Sequence, residues 1–257
     1  MKALILAAGR GRRLWPQSAD CPKCLLAVGS STILEHQLGN LAAAGVRRAV
    51  VISGHGFDRL RQAVLLYAGP VCVDLLYNPF YGVADNLISL WSARSEMDGD
   101  YFLVNGDNVF HPAILVRLAA QPGDACVAVN RKRQFDEDDA KVQIAASRVR
   151  RIGKALPPRQ TDAESIGIMR FSGAAVPALR RVLEEAAVDP DARRRLFLDG
   201  IQMLIDRGFP VHACDVGDLP WADVDTPEDL TQVRRCMDAL LAEAASPSGG
   251  GAGGASR

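Results

Sequence analysis

A glycine- and arginine-rich loop, two separated lysines and two aspartates at the ends of apolar segments carry the clearest chemical potential in this chain. The first apolar run leads into Leu6-Ala7-Ala8-Gly9-Arg10-Gly11-Arg12-Arg13-Leu14. Small residues there let the backbone approach a ligand closely, and exposed N–H groups in such a turn cradle phosphate or read a base edge. The arginines add charge-assisted phosphate contacts. The loop lacks the third glycine of a dinucleotide-binding fingerprint and the Gly-Lys-Ser/Thr of a P-loop. Taken alone, a solvated turn is the stronger account of it. Pro22-Lys23 lies nine residues beyond Arg13, just before the apolar Leu25–Val28. A lysine held there could reach a triphosphate; a surface lysine is the plainer alternative.

Asp107 closes Asn105-Gly106-Asp107 directly after an apolar segment, and Asp225 lies in Trp221-Ala222-Asp223-Val224-Asp225-Thr226-Pro227 before a helical pattern. Hard divalent cations take carboxylate oxygens together with phosphates and water. The two aspartates could therefore converge on Mg²⁺, with Asp223 a further candidate. A turn residue at 107 and a helix N-cap at 225 or 226 are the structural alternatives.

The elements that must position these residues alternate between strand and helix. Apolar runs predict strands at Ala3–Ala7, Ala49–Ser53, Val71–Tyr77 and Tyr101–Val104, and helical spacing predicts helices at Ile33–Ala44, Phe57–Tyr67 and Asn86–Met97. Thr32 is the expected N-cap of the first helix and Gly45 its stop. Repeated strand–helix–strand units imply right-handed crossovers and a mostly parallel sheet, with ligands beyond the C-terminal strand ends. After about residue 125 shorter strands follow (Cys126–Asn130, Ala140–Ile144, Val149–Ile152, Ser165–Phe171), predicting an antiparallel or mixed extension. Helices at Val176–Ala187 and Ala192–Arg207, a strand at Val211–Val216 and a helix from Thr226 to about Ala245 complete the pattern. The Ser/Gly/Ala-rich residues 246–257 are expected to be a disordered tail.

Leu6-Ala7-Ala8-Gly9-x-Gly-x-Arg13-Leu14, Pro22-Lys23 and Ile33-Leu34-Glu35-His36-Gln37, in this order and spacing, resemble the sugar-nucleotide pyrophosphorylase superfamily of nucleotidyltransferases. Asn78-Pro79-Phe80-Tyr81 through Asp85-Asn86-Leu87-Ile88-Ser89-Leu90-Trp91 resembles its phosphocholine and phosphonate cytidylyltransferase branch, with Asp85 where that branch usually has a first asparagine. The resemblance implies an α/β, GT-A-like (Rossmann-like) three-layer sandwich: a mostly parallel mixed sheet flanked by helices. It implies a single nucleotidyltransferase domain over 1–245, with a nucleotide-binding half to about 125 and an acceptor-binding half after it. It further implies NMP transfer from an NTP, CTP in this branch, to a small phosphorylated or phosphonate acceptor with loss of pyrophosphate. Sugar and cyclitol phosphates with another NTP stay open. Asp107 and Asp225 would hold Mg²⁺, Arg13 and Lys23 the triphosphate, and Lys154 the acceptor phosphate. Leu6, Ala7, Ala8, Gly9, Gly11, Gly54, Asn86, Ser89 and Asp107 would line the nucleotide site; Glu164, Asp139, Lys141 and Trp221 would face the acceptor. A GT-A glycosyltransferase with Asp223-Val224-Asp225 as its metal motif is the nearest rival.

Lysine plus arginine equals aspartate plus glutamate at 30 each, which argues against a nucleic-acid binder working by bulk charge. No apolar run reaches the roughly 20 residues of a bilayer span. Met1–Leu14 reads as a buried opening strand and loop in place of a signal peptide. Cys21-Pro22-Lys23-Cys24 is formally a CxxC, but no second pair completes a metal site, and the six cysteines read as reduced thiols of a cytoplasmic protein. A homodimer is open alongside a monomer.

Overall fold

The continuous apolar runs of the first half become strands covered on both faces. The computed structural model describes residues 1–244, so the tail at 246–257 lies outside the described residues. The first half contains β1 (Lys2–Ala7), the short β2 (Ala27–Val28) and β3 (Ser31–Thr32), α1 (Ile33–Ala43), β4 (Arg48–Ser53) and α2 (Phe57–Leu66). It continues with β5 (Cys72–Tyr77), α3 (Asn86–Ser92), β6 (Tyr101–Asn105), β7 (Asn108–Phe110) and α4 (Ala113–Ala120). The second half opens with β8 (Ala125–Asn130), β9 (Lys141–Ala145), β10 (Arg148–Gly153) and β11 (Ala163–Phe171). Then come α5 (Ala175–Ala187), α6 (Phe197–Asp206), β12 (Val211–Asp215), β13 (Trp221–Asp223) and α7 (Pro227–Ala244).

Nine strands form one mixed sheet in the order β5-β4-β1-β6-β11-β8-β12-β10-β9. Neighbours among β5, β4, β1 and β6 are parallel, as helical crossovers require. β11 is antiparallel to β6 and β8, and β10 to β9 and β12, whereas β12 is parallel to β8. β9 also pairs with the start of β11, matching Ala163 to Val142 and Glu164 to Lys141, so the far end of the sheet turns back toward its centre. The expected division into a parallel half and a mixed extension is therefore observed.

Side chains alternate along each strand, so one apolar run feeds two layers. Leu4, Ile52 and Leu103 pack with α3, α5 and α6, while Ile5, Val51 and Val104 pack with α1, α2 and α4. A smaller cluster of Leu14, Val28, Ile33, Val224 and Leu230 ties α7 to the segment after β1.

Three expectations change in detail. The helix over 86–97 ends at Ser92 and is followed by a 3₁₀ turn, and that over 192–207 separates into a 3₁₀ turn at Ala192–Arg194 and α6. Sequence reading misses α4, whose eight residues follow His111-Pro112 and give little room for a helical period to register. Thr32 caps α1 as expected: its hydroxyl accepts the Glu35 N–H at 3.2 Å, and the Glu35 carboxylate accepts the Thr32 N–H at 2.7 Å. Glu35, part of a recognised motif, thus serves helix capping.

Candidate active site

The parallel strands β1 and β6 end side by side, and the loop after β1 faces the turn after β6. Gly106 makes that approach possible, because a Cβ there would lie 2.8 Å from both the Ala7 Cβ and the Leu6 carbonyl oxygen. Its N–H donates to that carbonyl at 2.9 Å. In the loop, Gly11 adopts φ 57°, and a Cβ at this position would meet Lys23 Cγ at 2.7 Å. The missing side chain lets the Lys23 stem lie along the loop and carry its ammonium to the strand ends.

Asp107 and Asp225 come together through the two-stranded pairing of β7 and β13, in which Asn108 faces Asp223. The Val224 N–H donates to the Asp107 carbonyl at 3.1 Å. Gln37, fully buried on α1, braces the same turn: its amide donates to the carbonyls of Asn105 and Asn108, both at 2.8 Å. Gln37→Leu keeps much of the volume and leaves two buried carbonyls without a donor, which costs about 2–4 kcal/mol. A thermal melt should show the loss.

Lys23 Nζ lies 3.0 Å from Asp107 Oδ2 and also contacts Asp225 Oδ1. Burial alone would lower the Lys23 pKa, but the two carboxylates outweigh it and hold the ammonium above its ordinary value. For Asp225 burial works to raise the pKa, and Lys23, Arg13 and Lys154 hold it below the usual carboxylate range. Arg13 joins Asp225 and Asp138, each at 2.7 Å, and Lys154 approaches Asp138 at 3.6 Å. Charges of alternating sign thus run from Lys154 through Asp138, Arg13, Asp225 and Lys23 to Asp107. Asp223 is set apart: it accepts from the Asn108 amide, and burial with the charges of Asp107 and Asp225 pushes its pKa well up.

These groups line a cleft of about 360 Å³ that opens into a second cavity of about 190 Å³. Leu6, Ala7, Ala8, Gly9 and Gly11 form one wall of the cleft; Arg13, Lys23, Asn86, Ser89, Asp107 and Asp225 complete it. Asn86 belongs to both spaces, and its side-chain amide oxygen Oδ1 accepts the Phe197 N–H at 2.7 Å, fixing the start of α6 there. Ser89 is held from behind by the Asn78 amide at 3.0 Å. Lys154 and Glu164 line the smaller cavity together with Arg13 and Asp138.

Four expected contact residues take other places. Gly54 packs behind the loop, where a Cβ would lie 2.5 Å from the Tyr81 Cβ and 2.7 Å from the Ala8 carbonyl oxygen. Lys141 is buried and donates to the carbonyls of Glu137 at 3.2 Å and Lys154 at 2.9 Å, so it shapes the backbone around the cavity. Asp139 turns to Lys132 at 2.7 Å and accepts the Asp136 N–H, while its neighbour Asp138 lines the cavity. Trp221 borders a surface depression beside Arg131 and Asp215. Sequence reasoning misses the site positions of Asn105, Ser165 and Phe197; Asn105 stands two residues before Asp107, whereas Ser165 and Phe197 reach the site only through long-range packing. For Ser165 the adjoining Glu164 was the available signal.

The fit of a cation can be judged from Lys23. Both carboxylates reach its single ammonium, so their oxygens converge on one point. Among the described residues no group of three or more His, Cys, Asp or Glu side chains is arranged to hold an ion by itself. The remaining ligands would be phosphate oxygens and water, a set that hard divalent cations accept. The thiols do not compete: Cys21, Cys24, Cys126 and Cys214 are free, and burial pushes the Cys24 pKa up to about 12. No described helix is long and apolar enough to cross a membrane.

Residues 3–208 match the MobA-like NTP transferase domain. The CMP-5'-(3-aminopropyl)phosphonate synthase of Streptomyces rubellomurinus is 33% identical over 90% of this chain and 38% of its own length. The bifunctional IPC transferase and DIPP synthase of Rubrobacter xylanophilus is 30% identical over 96% of this chain and 54% of its own. The chain therefore spans between about two fifths and just over half the length of these curated relatives. In fold it superposes on the inositol-1-phosphate CTP transferase from T. maritima with a TM-score of 0.79 at 23% identity, covering 95% of this chain and 98% of that one. With a family match across most of its length, this chain belongs to the MobA-like NTP transferase domain family and is a nucleotidyltransferase domain.

Proposed function

We propose that the domain is a Mg²⁺-dependent cytidylyltransferase that moves CMP from CTP to a small phosphate or phosphonate acceptor and releases pyrophosphate. The observation that carries this reading is the convergence of Asp107 and Asp225 on the Lys23 ammonium beside the Gly/Arg loop. CTP as donor is supported by relatives named as a CMP-phosphonate synthase and a CTP transferase. Residues 1–125 would form the nucleotide half of one domain over 1–245, and 126–245 the acceptor half.

Asp107 and Asp225 would hold the ion together with triphosphate oxygens. When bound, it supplies positive charge to the α-phosphate and to the leaving pyrophosphate. The loop from Ala8 to Gly11 offers backbone N–H groups to the nucleotide, at strand ends where such ligands bind. Lys23 and Arg13 exchange carboxylate partners for phosphate oxygens and neutralise the leaving group. Lys154 holds the acceptor phosphate, one oxygen of which is already anionic at neutral pH and needs no strong base. That oxygen forms the new bond to the α-phosphorus while the bond to the pyrophosphate oxygen breaks and its electron pair departs with the leaving group. The protein's contribution is position and preorganised charge.

The test is pyrophosphate release with Mg²⁺, pairing CTP, UTP, GTP, ATP and dTTP with phosphonates, phosphocholine, cyclitol phosphates and sugar 1-phosphates. Release with CTP and a phosphate or phosphonate other than a sugar 1-phosphate is expected. Release confined to UTP or dTTP with a sugar 1-phosphate would keep nucleotidyl transfer and replace the donor and acceptor. A folded protein that releases none with any pair would end the reading and favour glycosyl transfer.

A further inference from the structure

The nine-stranded sheet has an open edge at β5. At the other end β9 pairs with β11 as well as β10, but among the described residues nothing pairs with the outer side of β5. The main-chain groups of this strand are sorted by residue. Cys72 and Asn78 donate to the carbonyls of Arg47 and Ser53 at 2.9 and 2.8 Å, so the main chain of Cys72, Asp74, Leu76 and Asn78 faces β4. Val73, Leu75 and Tyr77 therefore present their N–H and C=O groups outward. Proteins usually guard such an edge with Lys, Pro or a bulge. Cys72–Tyr77 has none of these: its register with β4 is unbroken, and its one charge, Asp74, is held by Arg48 at 2.7 Å. Apolar surface gathers around the same strand. Of the nine large apolar side chains that stand exposed among the described residues, five lie between 65 and 83: Leu65, Leu66, Tyr77, Phe80 and Val83. Such clustering marks an interaction surface, unlike singly scattered residues.

We infer that β5 is the contact surface for a second copy of this chain, the two β5 strands running antiparallel about a two-fold axis at Leu75. A copy fits because the strand is complementary to itself. Residues directly opposite each other in an antiparallel pair share a face, which restricts the possible registers. With the axis at Leu75, that residue meets its own counterpart, Val73 meets the partner's Tyr77, and Asp74 meets the partner's Leu76. Val73, Leu75 and Tyr77 of each strand then donate to and accept from the other. An axis at Asp74 would set two carboxylates face to face, which like-charge repulsion disfavours. An axis at Val73 would carry Tyr77 past the end of the partner strand. Leu65 and Leu66 close α2, which packs on β5, and are 74% and 83% exposed; Tyr77 is 47% exposed. Together with a strand edge about 20 Å long, they would bury roughly 1,000–1,200 Å² in the pair, the low end for a specific interface and suited to a reversible dimer. Val73, Leu75 and Tyr77 line neither the cleft nor the cavity beside it, so assembly leaves nucleotidyl transfer as it is.

Sedimentation velocity on the full chain over a concentration series tests this. The 27.6 kDa protein should pass reversibly to twice that mass, with a Kd in the micromolar range. Leu75→Pro removes the outward N–H at the axis and no bond to β4, so it should weaken the dimer by about tenfold to a hundredfold. A thermal melt checks that this variant is folded. The register is read by cysteine crosslinking in a Cys72→Ser background. Opposed residues of a hydrogen-bonded antiparallel pair have Cα atoms about 5.5 Å apart, within disulfide reach. Under a mild oxidant Leu75→Cys should link to its own counterpart, while Val73→Cys, whose counterpart lies farther along the partner strand, should stay unlinked like the Cys72→Ser parent. A monomer at every concentration would overturn the inference and leave the edge to a strand of a different protein. A dimer that Leu75→Pro does not weaken, or no link at position 75, would overturn it as well. The crosslink decides the matter if the proline variant does not fold.

Discussion

The Asp107→Asn protein is expected to release pyrophosphate about a hundredfold to a thousandfold more slowly than wild type, the range for removing one preorganised electrostatic contact. Asparagine keeps the shape of the side chain and removes its charge. The main-chain bond from Val224 to the Asp107 carbonyl does not involve the side chain and should persist, so the β7–β13 pairing survives. Asp107 is 26% exposed and Lys23 still has Asp225, so the stability change should stay within about 1 kcal/mol, as for other partly exposed ion pairs. A circular-dichroism melt checks the fold, and release assayed over a range of Mg²⁺ concentrations checks the role. If Asp107 contributes to an ion site, the variant's activity should rise toward higher Mg²⁺ than wild type requires. Full activity at the same Mg²⁺ concentration would take the carboxylate out of the site.

The sequence exposes that aspartate more readily than its partner's proximity. Asp107 ends an apolar run and Asp225 precedes a helical pattern, so each stands where a parallel sheet presents side chains to a ligand. Their meeting depends on β7 and β13, three residues each and too short to register as periodic segments. The acidic run Asp136–Asp139 shows the same limit at finer scale. Its members are chemically alike in the sequence, and distant cations sort them: Arg13 and Lys154 draw Asp138 to the cavity, while Lys132 holds Asp139 outside it. In the sequence Gly54 and Lys141 look like ligand contacts, because the packing that employs them, against Tyr81 and against the Lys154 carbonyl, is non-local. The central strands were legible because a run buried on both faces needs no partner to reveal it.

Lys23→Met separates two effects that a purely structural lysine would not split. Turnover should fall by about a hundredfold, since a cation on the leaving pyrophosphate is lost. Metal-free stability should fall by about 1–3 kcal/mol, because Asp107 and Asp225 remain close without the ammonium between them, the loss being moderated by their partial exposure. Divalent metal added without nucleotide should then stabilise the variant more than the wild type. If Asp107 and Asp225 hold the ion, it has to displace the ammonium in the wild type; in the variant no ammonium lies between the two carboxylates, although Arg13 stays on Asp225, so Kd should be lower and the gain, RT ln(1 + [M]/Kd), larger. Melts over a Mg²⁺ or Mn²⁺ series measure that difference directly. Lower activity with equal metal-linked stabilisation in both proteins would mean that Lys23 binds substrate but does not occupy a metal position. Lower activity with a larger metal effect would tie the ammonium and the ion to the same point between Asp107 and Asp225, and would make their exchange part of nucleotide binding.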